Sequence, residues 1–353
     1  MPPQRRRRAT QVDIAKHAGV SQATVSLVLS GGAASDQIAD STRQAVLAAA
    51  TELGYSVNVA ARSLRGGRNH LLGLYTFEPV FPTDQRDFYF PFLLGVEEET
   101  ARQGYDLLLF SSVTSGDRAI YAGGVNRLKL ADGCVLLGRN VRRAELAELV
   151  REDFPFVFIG RRELEGAELS YVGADYGTAT SDLVGELVRL GHQRILYLRA
   201  VEDAEPTRDR EAGYRHGLAA AGLAADESLI RRLADPADLT PEFVEHWVRT
   251  AGVTAILVEP SDDNRLTTAL DATSTRVDFP GDCSIALLGD PPSWTPELRD
   301  WTRFSLPRAE MGRTAVQLLV DLLGEPTGAP RQVTVPCSFV PGDSIGPAPE
   351  RSR

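Results

Sequence analysis

The sequence predicts a small all-α head followed by an α/β body made of two parallel-sheet lobes. Three observations predict it. Apolar residues repeat at helical spacing between Thr10 and Gly54. From His70 onward, short apolar runs alternate with amphipathic helical segments. The charge divides at the same place: residues 1–69 hold nine Lys/Arg against four Asp/Glu, net +5, and the remainder carries net −15 of the overall −10. A length of 353 residues exceeds one ordinary core, so two or three domains are expected.

The head begins at Thr10, which with Asp13 forms a T-x-x-D helix start. Ile14, Ala15 and Ala18 give that helix one apolar side, and Gly19 ends it by accepting a left-handed backbone. Ser21 is a suitable N-cap for a second helix, whose buried stripe is Val25, Val28 and Leu29. Gln22, Ala23, Ser26, Leu27 and Ser30 lie on its opposite side. Two short helices around a tight turn are the layout of a DNA-reading helix-turn-helix; the plain alternative is a helical hairpin in a core. Residues 42–54 form a third helix with Val46, Leu47, Ala50 and Leu53 at helical spacing, closed by Gly54 with Tyr55 over its end. Arg5 to Arg8 read either as a solvated tail or as an arm attracted to phosphate.

The stretch ATQVDIAKHAGVSQATVSLVLSGG resembles the N-terminus of the lac repressor family, the LacI/GalR-type bacterial transcription regulators. STRQAVLAAATELGYSVNVAARSLRGGR resembles that family's third helix and hinge, and a weaker similarity runs to the C-terminus. The resemblance implies a DNA-binding regulator, a repressor acting as a homodimer on double-stranded DNA with a near-palindromic operator. It implies DNA contacts from Thr10, Ser21, Gln22, Ala23, Thr24, Ser26, Leu27 and Ser30, and from Asn58, Ala61 and Leu64 of a hinge helix. Leu64 matches the wedge that kinks the operator from the minor groove. Two departures stand out: Val57 occupies a usual proline position, and Leu27 stands where arginine is frequent, which removes the commonest bidentate guanine contact.

In the body, LLGLYTF, DLLLFSS, GCVLLG, FVFIG, RILYLRA, TAILVEP and CSIALLG read as strands. Helical segments such as ATSDLVGELVRLGH lie between them. This alternation implies parallel sheets with helices on both faces and ligands at the carboxyl ends of the strands. The resemblance implies two doubly wound subdomains of the periplasmic-binding-protein type around a cleft, with three chain crossings. The expected division is a basic arm at 1–9, the helix-turn-helix domain at 10–57, hinge and linker at 58–69, one subdomain at 70–170 plus 302–331, a second at 171–301 plus 332–346, and a tail at 347–353. A small-molecule effector, with a sugar as the first candidate, is expected in the cleft. Phe88, Tyr89, Asp175, Arg210 and Asp290 are its candidate contacts. Each has a plain alternative: core packing for Phe88 and Tyr89, a helix N-cap for Asp175, a surface ion pair for Arg210. Pro260-Ser261 and Gly289-Asp290 depart from the family's Asn-Asp and Asp-Asp anchors, leaving Asp262, Asp263 or Asp290 as substitutes.

Composition narrows the alternatives. Cys134, Cys283 and Cys337 are few and scattered, against a disulfide framework or a zinc site. No apolar run of membrane-spanning length is present, and no apolar segment follows the N-terminal arginines as a secretion signal would require, so a cytoplasmic chain is expected. GxSxG, P-loop, GxGxxG and HExxH motifs are missing and the five histidines are scattered, so neither enzyme activity nor a cofactor is expected. His192 reads as structural. The runner-up function is a small-molecule binding module without DNA activity. The proline-rich C-terminus lacks heptads, so no tetramer-forming tail helix is expected.

Overall fold

A computed structural model describes residues 9–30, 38–55, 68–78, 86–110, 119–235, 238–260, 265–291, 299–325 and 328–350. The chain separates into two compact units, residues 1–69 and 70–353.

The head contains three helices, α1 (Gln11–Ala18), α2 (Gln22–Ser30) and α3 (Asp40–Glu52). Thr10 and Asp13 close a reciprocal capping box, with the Thr10 amide donating to Asp13 Oδ2 at 2.8 Å. Gly19 takes φ 67°, the left-handed turn expected of it. Ser21 Oγ accepts the Thr24 amide at 3.0 Å. Ile14, Ala15, Val25, Val28, Val46, Ala49 and Ala50 form the core, and Leu29, Leu53 and Tyr55 pack against it. Leu47, expected in this core, is 48% exposed. The buried stripe of α3 is Val46, Ala49, Ala50 and Leu53, and Leu47 lies about 100° around the helix from Val46.

The body's strands are β1 (Leu71–Thr76), β2 (Asp106–Phe110), β3 (Tyr121–Ala122), β4 (Val125–Asn126), β5 (Gly133–Leu137), β6 (Phe156–Ile159), β7 (Tyr171–Ala174), β8 (Ile195–Ala200), β9 (Ile230–Leu233), β10 (Ala255–Val258), β11 (Ser284–Leu287), β12 (Arg303–Ser305), β13 (Gln332–Val335) and β14 (Ser338–Val340). Its helices are α4 (Arg86–Arg102), α5 (Arg143–Arg151), α6 (Tyr176–Arg189), α7 (Glu205–Ala220), α8 (Pro241–Glu245), α9 (Arg265–Thr273) and α10 (Arg308–Gly324). Two six-stranded sheets result, ordered β13-β7-β6-β5-β1-β2 and β14-β12-β11-β10-β8-β9. Every pair in them is parallel except β12–β14. Successive residues of β10 face opposite cores: Ala255 and Leu257 join Tyr197 and Tyr214, whereas Ile256 and Val258 join Leu196 and Trp301. Burial on both faces is why such strands read as unbroken apolar runs.

Helices pack closely where glycine removes the side chain. On α4, a Cβ at Gly95 would collide with the Ala309 carbonyl of α10, and one at Gly213 of α7 would collide with the Gly177 carbonyl of α6.

The chain crosses between lobes three times, as expected, but the expected boundaries at 170/171, 301/302 and 331/332 are displaced. β7 and β13 pair with each other in the first sheet, and β12 pairs with β11 in the second. The crossings therefore fall at Asp175, Leu306–Pro307 and Pro336–Cys337, after each strand has finished pairing with the sheet it leaves. The Asp175 amide donates to the Val335 carbonyl at 2.9 Å, joining two of the crossings.

The segment after β14 is sewn to the second lobe, including part of the expected tail. Ser344, fully buried, accepts the Thr302 amide at 2.8 Å and donates to the Ile285 carbonyl at 2.7 Å. The Ala348 amide donates to the Leu190 carbonyl at 2.8 Å. His192 is buried between Thr254 Oγ1 and the Gly346 carbonyl, each at 3.0 Å, the structural place expected for it.

Candidate functional site

One side of α2 is exposed. Gln22, Ala23 and Leu27 are exposed, Leu27 by 41%. Thr24 and Ser26 are half-buried. Gln22 Nε2 donates to Gln11 Oε1 at 2.8 Å, which orients an amide able to address an adenine edge. The Ser21 and Thr24 hydroxyls share a 2.8 Å hydrogen bond, and Thr10 Oγ1 donates to Asp13. Ser21 and Thr10 thus serve as caps first. The Ser30 side chain and the whole of Asn58, Ala61 and Leu64 lie outside the described residues.

Between the two lobes of the body lies a cavity of about 420 Å³. That is the size of ordinary small-molecule sites, about 300–1,000 Å³. Its polar lining sits where parallel sheets place ligands, beyond the carboxyl ends of strands. Arg139 follows β5, Arg162 follows β6, Glu259 follows β10 and Asp290 follows β11. Helix α7 adds Glu205, Thr207 and Arg210, and the first turn of α4 adds Phe88, Tyr89 and Phe90.

Arg210 is 8% exposed. Its Nε donates to the Leu288 carbonyl at 2.9 Å, and its guanidinium lies 4.1 Å from the Tyr176 ring centre. Among the described residues nothing pairs with its two terminal nitrogens. They form a fixed planar fork in the cavity wall. Tyr89 is buried and its hydroxyl donates to Glu78 at 3.1 Å. Burial first, then the Glu78 charge and hydrogen bond, push the phenol's pKa upward, so it stays a neutral donor. Phe88 is half-buried under Arg308.

Asp290 borders the cavity but is occupied by the crossing strand. It accepts from Ser305 Oγ at 3.0 Å, the Leu306 amide at 3.1 Å and Arg308 at 3.1 Å, with Arg303 at 3.4 Å. Asp175 is not part of the cavity lining; it caps α6 by accepting the Thr178 amide at 3.0 Å. Of the five candidates, four line the cavity and Asp175 does not. Cys337 sits at a crossing, where burial pushes its thiol up to about 12, far from a reactive thiolate.

The opposite margin of the cleft carries ion pairs between lobes. Arg161 grips Asp209 through two hydrogen bonds of 2.7 and 3.0 Å, and Arg208 reaches Glu163 at 2.6 Å. Glu205 accepts from Arg143 at 2.8 Å and from the Glu163 amide at 3.2 Å. Arg162, its pKa lowered by burial, lies 3.8 Å from Glu205. Sequence reasoning missed Arg139, Arg162, Glu205, Thr207, Glu259 and Arg308. For Arg139, Arg162 and Glu259 a signal existed: each lies within three residues of the end of β5, β6 or β10.

Comparison with known proteins agrees with this geometry. Residues 10–58 match the profile described as bacterial regulatory proteins, lacI family. Residues 78–246 match periplasmic binding proteins and sugar binding domain of LacI family, and residues 184–345 match a periplasmic binding protein-like domain. The chain is similar to the HTH-type transcriptional regulator CelR of Thermobifida fusca, 31% identical over 348 residues covering 94% of this chain and 96% of the relative. It is similar to Catabolite control protein A of Priestia megaterium, 25% identical over 319 residues, 90% of this chain and 93% of that one. A solved CelR–cellobiose complex superposes with TM-score 0.60 at 26% identity, covering 96% of this chain and 100% of that one. The lac repressor dimer bound to operator shares the fold, with TM-score 0.68 at 20% identity over 96% and 100% of the two chains. Among the described residues no helix is long and apolar enough to cross a membrane. With a family-matched reading head and a ligand-sized cleft in one chain, the protein belongs to the lacI family of bacterial regulatory proteins and is a DNA-binding regulator of transcription.

Proposed function

We propose that this regulator is a cytoplasmic repressor, acting as a homodimer on a near-palindromic operator, and that a sugar bound in the body's cleft controls it. The observation that carries the reading is the buried Arg210 fork in a cavity of about 420 Å³. Phe88, Tyr89 and Arg210 hold the effector; Asp290 acts on the crossing strand and Asp175 as a cap. The name of the CelR–cellobiose complex supports a saccharide effector. Two heads read two half-sites, with Gln22, Ala23 and Leu27 at base edges and Asn58, Ala61 and Leu64 in the minor groove. The effector acts by binding one relative arrangement of the lobes better than another. The chain's role is binding alone.

The test is selection of genomic fragments by the purified protein, followed by salt and sugar titration. A palindromic site bound with a steep negative salt slope, and released by a saccharide, is the expected result. Absence of any preferred sequence would overturn the reading. Gln22→Ala is expected to relax base preference at one position of each half-site, at about 1–3 kcal/mol of discrimination. Uniform weakening on all sequences would remove Gln22 from that role.

A further inference from the structure

Gln11 and Gln22 belong to different helices, 11 positions apart, and each sits on a backbone that other groups hold. Gln11 is the first residue of α1, directly after Thr10, whose amide and hydroxyl bond to Asp13. Gln22 is the first residue of α2, directly after Ser21, whose hydroxyl accepts the Thr24 amide. Gln22 Nε2 donates to Gln11 Oε1 at 2.8 Å; Gln22 is exposed and Gln11 half-buried. A neutral hydrogen bond so open to water contributes little net stability. Its larger effect is on conformation, because a long glutamine side chain otherwise keeps its rotamer freedom until it meets a base.

The direction of this bond matters more than its strength. A primary amide has two N–H donors and one carbonyl oxygen. Gln11 Oε1 takes one N–H of Gln22, and among the described residues nothing else bonds to that amide. One N–H and Oε1 remain to face DNA. In the major groove adenine presents the N7 acceptor beside the N6 donor, whereas guanine presents two acceptors, N7 and O6. The remaining pair complements adenine at both atoms. Against guanine, Oε1 would meet O6 with no proton between them, and the second N–H that could relieve this is held by Gln11.

We infer that Gln11 is a specificity-determining residue of the head: by holding the Gln22 nitrogen, it sets that amide to accept adenine and reject guanine. Gln11 is a positioning residue, acting through Gln22 and needing no base contact of its own. That role rests on Gln22 facing a base edge, as proposed above, and makes the choice of base a property of two helices rather than one.

The experiment measures affinity of the full chain for its selected operator, carrying each of the four bases in turn at the position that Gln22→Ala relaxes. The native chain is expected to prefer adenine to guanine there. Gln11→Ala lets the amide turn, and should cut the adenine-to-guanine ratio by about three- to tenfold, part of the discrimination that a bidentate contact supplies. Gln11→Glu keeps an acceptor and should keep the ratio within about twofold. Gln11→Lys offers donors only, so it holds Oε1 instead and leaves both N–H groups to the base, and the preference should move to guanine. The charges added by these two variants shift affinity on every sequence alike, so the ratio reads the amide alone. In a Gln22→Ala background no Gln11 substitution should change the ratio, a coupling that a merely structural role would not show. A ratio that Gln22→Ala lowers but Gln11→Ala and Gln11→Lys leave intact would overturn the role of Gln11 and keep Gln22 as a reader. A native preference for guanine would do the same. No position relaxed by Gln22→Ala would overturn both.

Discussion

The two margins of the cleft are held by different physics. On one side, three chain crossings run side by side and Asp290 gathers four donors within 3.4 Å, with its side chain 13% exposed. On the other, Arg161–Asp209 and Arg208–Glu163 are side-chain pairs with about a quarter to just over half of their surfaces in water. Covalent continuity and buried hydrogen bonds fix the first margin. Exposed ion pairs are weak and screened by salt. The first margin is therefore a pivot and the second a latch. An effector that favours one arrangement of the lobes would meet less resistance at the latch than at the pivot.

The largest effect tests the pivot. Asp290→Ala strands two half-buried guanidiniums and a backbone amide, and should cost about 3–5 kcal/mol in urea unfolding, the range for breaking a buried pair from one side. A loss below about 1 kcal/mol would make Asp290 no stronger than the latch. Next is Glu205→Gln, at the buried end of the latch, with an expected cost of about 1–3 kcal/mol. The double change Arg161→Gln with Asp209→Asn should cost at most about 1 kcal/mol, fading at high salt. It should nonetheless alter affinity for the effector and expand the body in X-ray scattering. An unchanged scattering profile together with unchanged affinity would deny the latch any role.

The smallest effect is a pH dependence. Burial raises the Glu205 carboxyl, but the Arg143 hydrogen bond, the Glu163 amide and Arg162 outweigh it and hold it below the ordinary 4.5. A folded value below the unfolded one gives stability that is present above the unfolded value and lost as pH falls through the folded one. The stability gap between native chain and Glu205→Gln should hold from neutral pH to about 4.5 and close below it. A gap that closes on the alkaline side would refute the assignment.

What the sequence disclosed follows the range of the interaction. Thr10 with Asp13, Gly19 and the stripe Val25–Val28 depend on neighbours within a turn or two, and the expected caps and burial are present. The parallel sheets were legible because burial on both faces writes apolar runs into β5, β6 and β10. β9 reads IRRL and β12 only RFS, short edge or near-edge strands with too little pattern to stand out. Which sheet β7 and β12 join is settled by partners far along the chain, so the lobe boundaries were displaced. The latch left no trace, since Arg161 and Asp209 are 48 positions apart with no period connecting them. Asp175 and Asp290 were visible as polar residues near strand ends, but whether a carboxylate faces a ligand or a backbone amide depends on side-chain direction alone.

The anchored C-terminal segment has a consequence for the order of synthesis. The first lobe needs β13 to complete its sheet, and the second needs Ser344 and the Ala348 amide in place over Thr302, Ile285 and Leu190. A ribosome delivers these residues long after the head's core at Ile14 to Ala50 has emerged. During translation, then, the reader of DNA is assembled before its controller, and for that interval a nascent chain carries a head that no ligand of the body can yet instruct.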